Sequence, residues 1–394
     1  MKLVEKVKLK ITKLERDILL YEMGKYVQTV NMLIHSILDG SLPSYPSCAK
    51  FDASLQSSIK TQCVRTAREL IVRYRKNIRK YEQKRKKFND CKNKKIKESK
   101  LPTMKKLVYY VNNQNFKIKG DYISFPFLVN GKSKRLSFRL DMTERQRKLL
   151  EGKKLGLLRI CMKNNKMMAC IQYEVEDKDI VNNGKVMGID LGVKCPAVSY
   201  DTNGKIRFYG NGRKNRYIRR KFFEERRKLQ RKKKYRVIKR RKNKERRIMR
   251  DVNHKISRQI INEALKQGVS MIKMERLKNI RKGITKRATR TSRKNKRSKY
   301  NKFKMMVRRN NRFVNSWSFG QLQKFIAYKA MKAGIQVVYV NPKNTSKECP
   351  VCHALNQSND RKYTCNCGFH KHRDVVGAMN IYASTKVVGN RQSA

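Results

Sequence analysis

The sequence predicts a multidomain protein: a β-barrel-like N-terminal domain interrupted by a helical insertion, then an α/β domain with an inserted zinc-binding knuckle. Three observations carry that reading. Apolar residues recur at helical spacing between Leu14 and Tyr81 but alternate or run in short blocks from 105 to 177. After Asn182-Asn183-Gly184 strands and helices alternate, and four of the ten cysteines crowd into the stretch from Cys349 to Cys367.

With 394 residues, 39 % of them hydrophobic, the chain can pack two or three units. Its 100 Lys and Arg face 29 Asp and Glu, a net charge of +71. Such a charge pushes a compact fold apart unless a polyanion neutralises it, so nucleic acid is the expected partner and a large RNA fits best. Binding should be tight, salt-sensitive and largely sequence-independent, because each phosphate contact releases counterions. Composition alone leaves a ribosomal or chromatin protein equally open. No run approaches the ~20 apolar residues of a membrane span. The opening Met-Lys-Leu-Val-Glu-Lys lacks a signal-peptide core, so the expected location is the cytoplasm.

Leu3, Val4, Val7, Leu9 and Ile11 read as an opening strand. Ile18, Tyr21, Val27, Val30, Leu33, Ile34 and Ile37 mark a helix stopped by Asp39-Gly40. A second helix carries one stripe, Leu55, Ile59, Cys63, Ala67, Leu70, Ile71, Tyr74, Ile78 and Tyr81, read as core, with Arg and Lys on the opposite face. Runs such as Leu107 to Val111, Tyr122 to Leu128 and Gly156 to Met162, separated by turn residues, make a β-rich unit that the first strand joins. The expected domains are 1–14 with 100–180 (barrel-like), 15–99 (helical), 181–343 with 370–394 (α/β), and 344–369 (zinc insertion).

In the second half Val186 to Val193 reads as a buried strand with Asp190 in its middle, where a charge is costly unless neutralised. A helix from Asp251 to Lys266, closed by Gly268, leads to a strand over Val269 to Met274 that ends in Glu275. Ser318 with Gln321 has capping-box spacing before a further helix and the strand Ile335 to Val340. Asp374 opens a last short helix. Singly, each acid has an ordinary explanation, as a turn cap, an ion-pair partner or a helix start. Together, on a central strand, a strand end and a late helix start, they outline a ribonuclease-H-like site in which carboxylates hold two Mg²⁺ about 4 Å apart.

Cys349-Pro-Val-Cys352 and Cys365-Asn-Cys367-Gly368 provide four thiolates for a tetrahedral structural Zn²⁺. His353 and His370 are expected in nucleic-acid or loop contacts, and the scattered Cys48, Cys63, Cys91, Cys161, Cys170 and Cys195 as plain thiols. The knuckle is expected to brace the segment that presents Asp374. Residues 213–250 are saturated with Arg and Lys yet keep a helical period, predicting a long helix or hairpin facing phosphate. Arg281 to Arg312 lacks such a period and reads as a loop over the site, and Trp317 before a capped helix reads as core.

Gly188-Ile-Asp190-Leu-Gly192, Met274-Glu275-Arg-Leu277 and His372-Arg-Asp374-Val-Val-Gly-Ala378-Met-Asn380 resemble the three RuvC motifs of the TnpB family of transposon-encoded nucleases, itself similar to type V CRISPR effectors. Asn315-Ser-Trp317-Ser-Phe319, Tyr328-Lys-Ala330, Asn341-Pro342 and Thr345-Ser346-Lys-Glu-Cys349 follow the same order, so the resemblance spans 184–385. The single residue between Cys365 and Cys367 departs from the usual two. The resemblance implies an RNA-guided DNA endonuclease of a prokaryotic cell, with Asp190, Glu275 and Asp374 holding two Mg²⁺ (or Mn²⁺) in one RuvC site. It further implies a monomer carrying one guide RNA, recognising double-stranded DNA beside a short flanking motif and serving to maintain a transposable element. Guide pairing then reads the target sequence while the protein reads shape. A guided but nuclease-silent repressor, a strand-transferring transposase and a non-catalytic RNA-binding protein are the rivals; the first would lack a carboxylate, and the last leaves the three acids unexplained.

Overall fold

In a computed structural model the described residues are 2–88, 100–129, 131–176, 183–241, 243–277, 306–307, 318–356 and 361–385. The chain divides into two compact units, 1–176 and 177–394.

The first unit contains β1 (Lys2–Lys10), α1 (Lys13–Leu38), α2 (Ser57–Phe88), β2 (Val108–Val111), β3 (Lys117–Lys119), β4 (Tyr122–Val129), β5 (Lys132–Asp141), α3 (Glu144–Leu150), β6 (Leu155–Lys163) and β7 (Lys166–Glu174). The strands form one seven-stranded antiparallel sheet in the order β2-β6-β7-β1-β5-β4-β3. Its two edges, β2 and β3, are consecutive in the chain. The six Cα steps from Val111 to Lys117 reach about 21 Å, whereas seven strands laid flat would hold their edges about 29 Å apart. The sheet therefore curls towards a barrel, while among the described residues no ladder joins β2 to β3.

Helix α1 starts where Thr12 and Glu15 exchange hydrogen bonds, Thr12 N donating to Glu15 Oε2 at 2.6 Å and Glu15 N to Thr12 Oγ1 at 3.2 Å. It stops at Asp39, followed by Gly40 at φ +90°. Both long helices share one core with the sheet. The expected core stripe of α2 holds through Ile71; from Val72 to Gln83 no residue is buried, and Tyr74, Ile78 and Tyr81 stay half-exposed. Of the six cysteines expected as plain thiols, Cys91 lies outside the described residues and the rest are free, with the Cys161 and Cys170 sulfurs 3.9 Å apart across β6 and β7.

The second unit runs β8 (Val186–Asp190), β9 (Ala197–Asp201), β10 (Ile206–Tyr209), α4 (Gly212–Arg231), α5 (Tyr235–Arg241), α6 (Lys244–Lys266), β11 (Met271–Glu275), α7 (Phe319–Lys332), β12 (Gln336–Val340), β13 (Lys362–Thr364), β14 (His370–His372) and α8 (Arg373–Ala383). Five strands form a mixed sheet, β10-β9-β8-β11-β12, in which β8, β11 and β12 are parallel and β9 and β10 antiparallel. Strand alternation sorts the faces. Met187, Ile189, Ala197, Tyr209, Ile272 and Met274 pack with α6 and α7, whereas Val198 packs with Val375 and Ala378 of α8.

The basic segment 213–250 forms a hairpin, turning at Lys233 (φ +50°). Arg219 and Arg226 of α4 meet Glu245 of α6 at 3.3 and 2.6 Å. The helix expected from Asp251 begins earlier, at Lys244, so the end of the basic run and the core helix are one element. The capping box expected at Ser318 does not form. Buried Asn253 of α6 needs acceptors, and its Nδ2 donates to both Ser318 Oγ and Gln321 Oε1 at 2.9 Å, tying α7 to α6 instead. Buried Lys329 adds a second tie, donating to His254 O and Ser257 Oγ at 2.7 Å, and desolvation lowers its pKa to about 8. The loop expected over Arg281 to Arg312 (apart from Met306 and Val307) and Trp317 lie outside the described residues.

Helix α8 lies so close to β8 that a Cβ at Gly188 would sit 2.5 Å from Tyr382 N and against the Ala378 carbonyl. Backbone cannot yield as a flexible side chain would. Gly188→Ala should therefore destabilise the protein by about 1–3 kcal/mol, measured as a fall in the denaturant midpoint; an unchanged midpoint would mean that α8 does not rest on this glycine.

Candidate metal centres

The pairings Phe208↔Val198 and Val198↔Asp190, with Met274↔Ile189 and Glu275↔Val340, set Phe208, Val198, Asp190, Glu275 and Val340 in one row across the sheet. Asp190 and Glu275 thus stand side by side at the C-terminal ends of adjacent parallel strands, where α/β sheets open their crevices. Helix α8 brings the third acid. A Cβ on its Gly377 would be 3.1 Å from Asp190 Oδ2, so a bare glycine lets α8 close on that carboxylate, and Gly192, where a Cβ would stand 3.7 Å from Asp374 Oδ2, lies in ordinary contact with the third acid.

Their mutual repulsion shows in the electrostatics. Asp190 is densely surrounded, though still touched by solvent, and its pKa is raised well above the ordinary value by burial, then by the charges of Glu275 and Asp374. Burial also raises Glu275, partly offset by a short hydrogen bond from Thr345 Oγ1. Because the folded pKa values exceed the unfolded ones, the stability these groups add is complete only below the unfolded carboxylate range. It is lost as pH rises through the raised values. Ionising Asp190 and Glu275 therefore works against folding unless a cation lies beside them. Hard carboxylate oxygens of this kind suit Mg²⁺.

Several residues hold this arrangement; Thr345, His372 and Asn380 stand in the family-like segments without an assigned role, and Gln323, Arg361 and Lys273 carry no motif signal. Gln323 Nε2 donates to Glu275 O at 2.6 Å. Asn380 of α8 donates to Thr345 O and Glu348 O, both at 2.8 Å, fixing the loop that carries Thr345. Arg361 Nη1 donates to both Asp374 oxygens at 2.6 Å, and Lys273 Nζ holds the far end of α8 through Tyr382 O (2.7 Å) and Ser384 O (2.9 Å). Asp374 is 8 % exposed, and its amide donates to His372 Nδ1 at 3.2 Å, which leaves the imidazole proton on Nε2.

The second centre is the knuckle. Sγ atoms of Cys349, Cys352, Cys365 and Cys367 all lie within 4.8 Å of one another. Cys349 and Cys367 are 3.7 Å apart, Cys352 and Cys365 3.4 Å. Four sulfurs at ~2.3 Å from a tetrahedral zinc stand about 3.8 Å apart, so the set fits zinc, and the one-residue spacing of Cys365 and Cys367 brings both into the cluster. His353 and His370 make loop contacts, to Glu348 Oε1 and Gly368 O, each at 3.2 Å. The hairpin β13–β14 runs directly into α8, and Cys349 and Tyr363 pack on Val376 of that helix. Arg361, at the hairpin's start, and Asp374, at its exit, are thereby held together.

A TnpB-like protein of Methanocaldococcus jannaschii is 31 % identical over 294 residues, 71 % of this chain and 96 % of that protein. This chain belongs to the TnpB-like family. A family model described as "Probable transposase" matches residues 170–281, and one described as "Cas12f1-like, TNB domain" matches 319–381, which contains the four cysteines. The CRISPR-associated endodeoxyribonuclease Cas12f1 of Sulfoacidibacillus thermotolerans is 27 % identical over 238 residues, 56 % of this chain and half of that longer protein. In fold the chain resembles the Cas12f1 of a cryo-EM complex with sgRNA and target DNA, at a TM-score of 0.57 and 16 % identity, covering 98 % of this chain and 99 % of that one. No helix among the described residues is long and apolar enough to cross a membrane.

Elemental analysis of the purified protein should find one zinc per chain. Stripping it with a chelator should expose the β13–β14 hairpin to trypsin at Lys362, absent any cut there before treatment; a zinc-free chain with an equally protected hairpin would contradict the assignment.

Proposed function

We propose that this protein is an RNA-guided DNA endonuclease with one RuvC-like site formed by Asp190, Glu275 and Asp374. The observation that carries the reading is the convergence of three carboxylates at the ends of β8 and β11 beneath α8, inside a chain of net charge +71. Relatives named as endodeoxyribonucleases support the activity, and a similarly folded protein solved with sgRNA and target DNA supports guide RNA and target DNA as partners.

The three acids would hold Mg²⁺, or Mn²⁺, as a pair of ions, which supply an activated water and stabilise the departing oxygen. Thr345 fixes the Glu275 carboxylate, and Gln323 its backbone. Arg361 keeps Asp374 oriented and puts a cation beside any phosphate brought to it. Zinc in the knuckle acts structurally, with no open coordination position for chemistry. The hairpin of α4 to α6 presents its arginines and lysines to the nucleic-acid backbone. The first unit, with a barrel-like sheet as 1–14 and 100–180 and helices over 15–99, grips the guide RNA and the flanking DNA motif. The second comprises the nuclease part, 181–343 with 370–394, and the zinc insertion, 344–369. In the cell, one chain with one RNA would act on DNA in the cytoplasm and serve to maintain a transposable element.

The deciding experiment purifies the protein with its co-expressed RNA, sequences that RNA, and offers a plasmid matching its variable end with Mg²⁺. Cutting at the matched site, lost in Asp190→Ala, is expected. RNA binding without cutting would favour a guided repressor or structural RNA-binding protein, and joining of 3′ ends in place of cutting would favour the transposase that one family model names.

A further inference from the structure

Phe208 has no part in the chemistry above, yet it stands in the same cross-strand row as Asp190, two strands away at the sheet edge. Directly paired residues point to one face, so Phe208, Val198 and Asp190 all face the α8 side. Two strand spacings put Phe208 on the order of 10 Å from Asp190. Its neighbours on that face, Val198 and Ile206, are covered by α8, whereas Phe208 is 53 % exposed. The adjacent Arg207 points the other way and pairs with Glu263 at 3.0 Å. One contact orients the ring: His372 meets it edge-on, centroids 5.4 Å apart and planes at 83°. His372 is also the N-cap of α8, bonded to the amide of Asp374, so the residue that braces the ring also caps the helix carrying the third acid.

We propose that Phe208, braced edge-on by His372, is a stacking platform for one base of the DNA strand entering the carboxylate site; this rests on the endonuclease reading. A single exposed ring offers a π-face to stack on and accepts any base, which suits a strand whose sequence is read by guide pairing rather than by the protein. Stacking there would hold the strand taut across the row that ends at Asp190 and Glu275. Phe208 would thus be a positioning residue, acting through the strand.

The test uses the full chain with its guide RNA on target DNA carrying 5-iodouracil at successive positions around the cut, irradiated and mapped by mass spectrometry. Cutting of the matched target by the wild-type guided complex, read separately, tests the endonuclease reading on its own; its failure removes the substrate strand and the proposal with it. Within that complex, an adduct on Phe208 from one DNA position is expected. Phe208→Leu, which keeps apolar volume but no π-face, should cut on the order of tenfold more slowly, and Phe208→Trp near the wild-type rate. A complex that forms without any adduct on Phe208, an adduct arising only when the iodouracil is in the guide RNA, or a Phe208→Leu protein that cuts as wild type would each overturn the platform.

Discussion

Two carboxylates side by side at the ends of neighbouring parallel strands, with a third pressed onto them by a helix, repel one another, and much of the second unit serves to hold them there. Glycines at 188 and 377 remove the side chains that would keep helix and strand apart. Lys273 fixes the far end of the helix, the knuckle fixes the near end, and Arg361 and Thr345 offset the charge of Asp374 and Glu275. Each of these contacts costs desolvation or ordering entropy. Their convergence on three acids makes sense when those acids are kept close for an occupant of opposite charge.

The same logic applies at the scale of the chain. A net charge of +71 opposes compaction, and the ion pairs inside the α4–α6 hairpin use few acids, Glu245 serving both Arg219 and Arg226. Most of the basic surface therefore has no internal counter-charge to satisfy it. A polyanion relieves the excess outside, and divalent cations relieve the opposite excess within the carboxylate crevice.

Much of this was legible in the sequence, and the rest was hidden for physical reasons. The four cysteines were legible from short spacings that bring thiolates together, whereas Asp190, Glu275 and Asp374 were singled out chiefly by the resemblance of their three motifs, each alone having an ordinary explanation on a strand, a strand end or a helix start. The capping box at Ser318 matched its local pattern and still failed, because buried Asn253, distant in sequence, competed for the same oxygens. Which residues partner the acids was hidden for the same reason, although Thr345 and Asn380 stand in family-like motifs. Thr345 is far along the chain from Glu275 and Asn380 from Thr345, and no local rule predicts either pairing. The row from Phe208 to Glu275 depends on strand register across four strands, which alternation within each strand cannot supply. Helix α2 shows the opposite error: its stripe continues past Ile71, but the packing does not.

The central claim is that the carboxylate cluster is held together at a cost that a bound cation relieves, and thermal melting at neutral pH, with and without Mg²⁺, measures this most directly. Without the ion, Asp190→Asn should melt above the wild type, since it removes the charge most disfavoured by its surroundings; adding Mg²⁺ should raise the wild type and leave the variant nearly unmoved. A variant that melts below the wild type without metal, or that gains as much from Mg²⁺, would contradict it.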